Sequence, residues 1–168
     1  MSKKILIFGG TGAIGFSIAK RISKENYTPV IISRNEEELI IKSKEINCEY
    51  EICDVLDKDQ IDQVSKKHGD TVFGIAYCIG SINLKPLKMT KDEDFIESYK
   101  INTLGAINSI KSNIESLAKN NGAILFFSTI AVQQGFTNHS IVSSSKGAIE
   151  GLTLSLAAEF APKIRVNC

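Results

Sequence analysis

Residues 3–15 read KKILIFGGTGAIG, and this stretch decides the fold. Four apolar residues, Ile5 to Phe8, are cut off by glycines. Ile14, Ile18 and Ile22 then recur every four residues. A short apolar run that ends in glycine and passes directly into helical periodicity is the opening of a βαβ unit. Gly9, Gly12 and Gly15, with Ala13 and Ile14 between them, occupy the strand-to-helix turn. Glycine there lets backbone N–H groups and a helix N-terminus approach a pyrophosphate. The plainer alternative is a tight turn with no ligand. The two lysines and the apolar run superficially look like a leader peptide, but the glycines break the run too early.

Working outward, β-branched runs alternate with longer helical segments, the pattern of a parallel sheet. Strands are expected over 3–8, 29–33, 49–54, 71–78 and 123–128. Asn35 with Glu38 predicts a capped helix to about Glu45, and Asp57 with Gln60 predicts the start of the next. A long helical region is expected over 92–119 and another over 143–160, where Ile149, Leu152, Leu156 and Phe160 form an apolar stripe and Pro162 stops the helix. Residues 80–90 form the one long irregular connection. The sequence KIRVNC at 163–168 begins a further strand.

At 168 residues and 43% hydrophobic, residues 1–168 are expected to form a single domain. A net charge of +1, spread along the chain, argues against nucleic acid or a membrane surface as partner. No stretch approaches the roughly 18 apolar residues of a membrane helix. Cys48, Cys53, Cys78 and Cys168 lack metal-ligand or CxxC spacing, so no metal site is expected, and free thiols suit the cytoplasm.

Residues 139–167, HSIVSSSKGAIEGLTLSLAAEFAPKIRVN, resemble the active-site helix of the short-chain dehydrogenase/reductase family, and the resemblance extends over essentially the whole chain. That family carries Tyr, three residues, then Lys; here the pair is Val142 and Lys146. The resemblance implies a Rossmann-type doubly wound parallel sheet flanked by helices, a three-layer αβα fold. It also implies that family members continue with C-terminal strands and a substrate loop that this chain lacks.

The same resemblance implies the site. The family's glycine pattern has Gly at Ala13 and a different residue at Gly12. Where NAD-binding members carry an acidic residue after the second strand, this chain has Ser33 and Arg34, which favours NADP(H) over NAD(H) because guanidinium pairs with a 2′-phosphate. The alternative is a solvated loop cation. Asp54 matches the position that contacts adenine, or it caps a helix. Residues 77–80 read YCIG against the family's NNAG, so Gly80 alone matches. Asn102 matches the helix Asn that holds a water linked to the Lys. Thr129, thirteen residues before Val142, matches the substrate-orienting Ser, with Ser128 on the opposite face if both lie on the strand.

Lys146 is implied to bind the nicotinamide-ribose hydroxyls. The family's Tyr donates the proton to the substrate oxygen, so Val142 removes the general acid. His139 or a water is the expected replacement, with Tyr77 a weaker one; otherwise His139 is a loop residue. Ser143 and Lys146 also form an SxxK pair, but the companion motifs of that hydrolase chemistry are absent. The expected function is an NADP(H)-dependent oxidoreductase acting on a small carbonyl or alcohol. The alternative is a nucleotide-binding module without turnover. By family analogy the protein is a homodimer or homotetramer associating through helices 92–119 and 143–160.

Overall fold

The computed structural model describes residues 3–168. Six parallel strands form one sheet in the order β3-β2-β1-β4-β5-β6. They are β1 (Lys4–Phe8), β2 (Thr28–Ser33), β3 (Glu49–Ile52), β4 (Val72–Tyr77), β5 (Ala123–Leu125) and β6 (Arg165–Asn167). The order reverses between β1 and β4, which pair with Ile7 beside Ala76 and Phe8 beside Tyr77. The crevice beyond the carboxyl ends of such strands is where open α/β sheets take ligands.

Alternation along β1 divides the core. Leu6 and Phe8 face one layer with Ile75, Tyr77, Phe126 and Ile149, whereas Ile7 faces the other with Phe16, Ala19, Ile31 and Leu39. Helices α1 (Ala13–Ile22) and α2 (Glu36–Ile46) cover the second layer. Helices α3 (Lys58–His68), α5 (Gly105–Lys111), α6 (Ile114–Lys119) and the long α8 (Ser140–Phe160) cover the first. The α/β architecture expected from the sequence is the one observed.

Local chemistry sets the helix ends. Asn35 accepts from the Glu38 amide at 3.2 Å to start α2, and Asp57 accepts from Asp59 and Gln60 to start α3. Asn47, at φ 50°, closes α2. The core face of α1 includes part of the isoleucine stripe and extends beyond it. Phe16 and Ala19 are buried, whereas Ile14 is 54% exposed. Ile18 and Ile22 are partly buried and pack against the same core layer, and with Ile14 they also line an apolar patch with Arg21, Leu125 and Phe127. The four-residue period runs along the border of the buried face, with Ile14 at its exposed end.

The helical region expected over 92–119 is broken. Helix α4 (Asp92–Tyr99) passes into a π-helical turn over Lys100–Leu104, and α5 follows. The Asn102 side chain donates to the Ser98 carbonyl at 2.9 Å, and the Tyr77 hydroxyl donates to the Ile101 carbonyl at 2.7 Å. Side-chain donors on these two carbonyls compete with the ordinary backbone ladder and widen the turn. Between α5 and α6 the chain breaks at Asn113, whose side-chain amide donates to Ser65 and to the Ser109 carbonyl. Helix α8 begins at Ser140, three residues earlier than expected, and ends at Phe160 ahead of Pro162.

At the opposite, amino end of the sheet, the His68 side chain is fully buried. Lys4 Nζ lies 3.2 Å from Nδ1, so Nδ1 accepts, and Nε2–H donates to Glu51 at 3.0 Å. Burial, then the Lys4 ammonium, holds this imidazole below its ordinary pKa against the pull of Glu51. The unfolded chain then binds the proton more tightly, so stability is lost as pH falls through the unfolded value of about 6.5. Urea midpoints at pH 8 and pH 5.5 check this: the drop expected for the parent is smaller for His68→Gln.

Candidate functional site

The carboxyl ends of β1, β2 and β4 and the residues just after β3 surround a cavity of about 240 Å3. Gly9, Gly12, Ser33, Arg34, Asp54 and Gly80, six of the expected cofactor contacts, line it together. Gly9 holds φ at 79°, and a side chain there would strike the backbone of Cys78 and Ile79. Gly15 lies behind this wall: a Cβ on it would collide with the Gly9 carbonyl oxygen. Strand–turn–helix packing therefore requires these glycines whether or not a ligand is present. Ala13 and Ile14 open α1 with no acidic residue in its first turn and no side-chain cap, which leaves its N–H groups for an anion.

Six lining residues went unread in the sequence: Cys53, Val55, Leu56, Cys78, Ile79 and Ile101. Val55 and Leu56 follow directly from Asp54, so a signal existed. Ile101 sits in the unforeseen π turn and had none. Burial pushes the thiols of Cys53 and Cys78 up to about 12, so both are poor nucleophiles.

Asp54 does not cap α3, because Asp57 does so. Its carboxylate accepts from the Leu56 amide at 2.9 Å and lies 3.6 Å from the Arg34 guanidinium at the cavity mouth. Thr11 donates to the Ser33 hydroxyl at 3.1 Å, tying the glycine turn to the end of β2.

Asn102 is fully buried and donates to Ser98 and Ser81, and its Oδ1 accepts from the Ser81 amide. Lys146 lies beside it. A Cβ on Gly80 would come 3.0 Å from Asn102 Oδ1 and 3.3 Å from Lys146 Nζ, so bare backbone lets three distant segments close around the ammonium. Burial holds Lys146 below the ordinary lysine range. The ionisable groups near it are the thiols of Cys78, on the cofactor cavity, and Cys168, on a second cavity, and they pull weakly the other way. No carboxylate lies within ion-pair distance of it among the described residues. A desolvated cation of this kind, beside a glycine-lined cleft at the sheet's switch point, fits a nicotinamide dinucleotide with its phosphates and ribose hydroxyls.

Thr129 lines the second cavity, about 590 Å3, with Ser128, Gln133, Glu150, Thr153 and Cys168. Strand β5 ends at Leu125, short of the expected 128, so the alternation argument for Ser128 and Thr129 does not apply. The Ser128 hydroxyl turns to Glu150 at 2.5 Å, and Thr129 Oγ1 accepts from the Ala131 amide at 3.3 Å to begin α7 (Ala131–Gln134). Val142 is 4% exposed, one turn before Lys146 on α8. His139, just ahead of α8, packs on Phe136, and its Nδ1–H donates to the Thr137 carbonyl at 2.8 Å. Ser143 donates to the Ala131 carbonyl, so its proton is not directed to Lys146 as an SxxK pair requires. Tyr77 is no proton donor to the cleft: its phenol is buried, burial raises its pKa, and its proton is committed to Ile101.

Comparison with known proteins agrees with this geometry. Carbonyl reductase family member 4 from Xenopus laevis is 31% identical over 173 residues, covering 99% of this chain and 73% of its own. The 3-oxoacyl-[acyl-carrier-protein] reductase of Mus musculus is 30% identical with the same coverage. Among solved structures, a short chain dehydrogenase from Salmonella enterica serovar Typhi superposes with a TM-score of 0.93 at 23% identity, covering 100% of this chain and 75% of that one, which supports the fold. The short chain dehydrogenase family model matches residues 3–168. With its glycine turn, its parallel sheet and Lys146 closing on Gly80, the chain belongs to the short-chain dehydrogenase family.

Proposed function

We propose that the protein is an NADP(H)-dependent oxidoreductase for a small carbonyl or alcohol, in which the usual tyrosine acid has been replaced. The observation that carries this is Lys146, partly buried against Gly80 and Asn102 beside the glycine-lined cleft, with no carboxylate within ion-pair distance among the described residues. Bound at the glycine-lined cleft, the nicotinamide supplies or accepts the hydride. Lys146 holds the ribose hydroxyls, and Asn102 orders a water beside it. Thr129 uses its oxygen as an acceptor for Ala131, so its O–H is still able to donate to a carbonyl oxygen in the second cavity. The alkoxide forming there would take its proton from water, or from the Nε2–H that His139 carries only as the imidazolium, its Nδ1–H being committed to the Thr137 carbonyl. Ser33 and Arg34 favour a 2′-phosphate.

A second reading, a cofactor-binding module without turnover, draws on Val142, which is apolar, buried and incapable of giving a proton. Steady NADPH consumption over a panel of aldehydes and ketones separates the two. A rate that falls when Lys146 is replaced supports the enzyme. Tight NADPH binding with no rate on any carbonyl supports the module.

Self-association is proposed through α4 and α8. Ile96 and Tyr99 are exposed on α4, and with Leu104 and Ser144 they border an apolar groove. A homodimer or homotetramer built on this face would cover them. Four free thiols suit a reducing cytoplasm as the location. Among the described residues no helix is long and apolar enough to cross a membrane.

A further inference from the structure

Lys42 lies on the second turn of α2, half-buried, at a position that the glycine turn and Ser33 do not by themselves explain. Its Nζ donates to the Thr11 carbonyl oxygen and stands 4.9 Å from the Phe16 ring. Glu38, one turn earlier on the same helix, is placed for an ordinary i,i+4 ion pair. Yet no carboxylate lies within ion-pair distance of Lys42 among the described residues. The ammonium is turned across to the glycine turn instead, onto the residue whose hydroxyl holds Ser33.

The charges around Ser33 make this placement matter. The Arg34 side chain is 73% exposed and is shared with Asp54. Glu36, Glu37 and Glu38 fill the first turn of α2. A phosphate ester beside Ser33 would meet a half-neutralised guanidinium against a background of carboxylates, and Arg34 alone would hold it weakly. We infer that Lys42 is a specificity-determining residue that pairs with the 2′-phosphate of NADP(H), leaving the Thr11 carbonyl to do so. Its four-carbon stem allows the ammonium to cross from the carbonyl oxygen to the neighbouring phosphate. The inference rests on the reading of the cleft as a dinucleotide site.

The test compares Lys42→Met and Lys42→Arg with the parent in titrations of NADPH, NADH, adenosine 2′,5′-bisphosphate and 5′-AMP. Lys42→Met is expected to weaken NADPH and the bisphosphate about tenfold or more and to flatten the salt dependence of NADPH binding. NADH and 5′-AMP stay within about twofold, and Lys42→Arg keeps most of the NADPH affinity. Equal losses for NADPH and NADH would make Lys42 a prop for the glycine turn and overturn the inference, as would no loss for either. A parent that binds NADH and 5′-AMP but no 2′-phosphorylated ligand overturns the inference and leaves the dinucleotide site standing. A parent that binds none of the four overturns both.

Discussion

Val142→Tyr is expected to raise the rate of NADPH-dependent carbonyl reduction by about 10²- to 10⁴-fold, the usual contribution of a positioned general acid. Val142 and Lys146 stand one turn apart on α8, so a phenol at 142 projects along the same face as the ammonium. A neighbouring cation lowers a phenol's pKa, which is the service Lys146 has no partner for at present. The substituted ring is larger than the valine it replaces in a buried position, and overpacking of this kind typically costs about 1–3 kcal/mol. Thermal melts run beside the assay separate that cost from the chemistry. A folded variant with no gain would mean that Thr129 or the substrate cavity is also unsuited to turnover.

Lys146→Ala has the second large effect, and it falls on binding. Hydrogen bonds from a charged group are worth about 1.5–3 kcal/mol, so NADPH affinity is expected to fall about 10- to 100-fold. Folding stability should hold or rise slightly, because the ammonium is desolvated and, among the described residues, has no ion-pair partner to lose. The pH dependence has a definite sign. Burial lowers the lysine's pKa, so NADPH affinity declines as pH rises through that lowered value, at lower pH than for an exposed lysine. Fluorescence titration of the nicotinamide at pH 7 and pH 9.5 measures both effects. An affinity unchanged by the substitution would remove Lys146 from the cofactor site.

Much of the architecture was legible because local signals agreed with one another. KKILIF followed by glycines marked β1 and its turn, and Asn35 and Asp57 marked the starts of α2 and α3 as capping chemistry requires. What escaped was set by tertiary contacts. The π turn at 100–104 depends on Tyr77 and on the side chain of Asn102, and the room for Tyr77 comes from Gly105, where a Cβ would collide with the phenol oxygen. No helical periodicity in residues 92–119 carries that information. On α1 the four-residue recurrence of isoleucines marked the helix, and Ile18 and Ile22 pack on the core, but the tight approach of Gly15 to Gly9 had no signal in periodicity.

The site divides in the same way. Gly9, Gly12, Ser33, Arg34, Asp54 and Gly80 follow strand ends, so topology alone brings them to one cleft. Thr129 and His139 lie on the segment between β5 and α8, where hydroxyl and imidazole groups are claimed by neighbouring backbone and the geometry could not be read from spacing. Lys42 shows the reverse. In sequence it is an ordinary surface lysine of an amphipathic helix, and only the fold reveals that it bypasses Glu38 for the glycine turn.

The central claim is that the cleft retains its cofactor although the proton donor is gone. Titration of NADPH into the parent protein, followed by nicotinamide fluorescence, tests it most directly. Saturable binding of one NADPH per chain, weakened by Lys146→Ala, is the result the account predicts. A parent that binds neither NADPH nor NADH at millimolar concentration would contradict it.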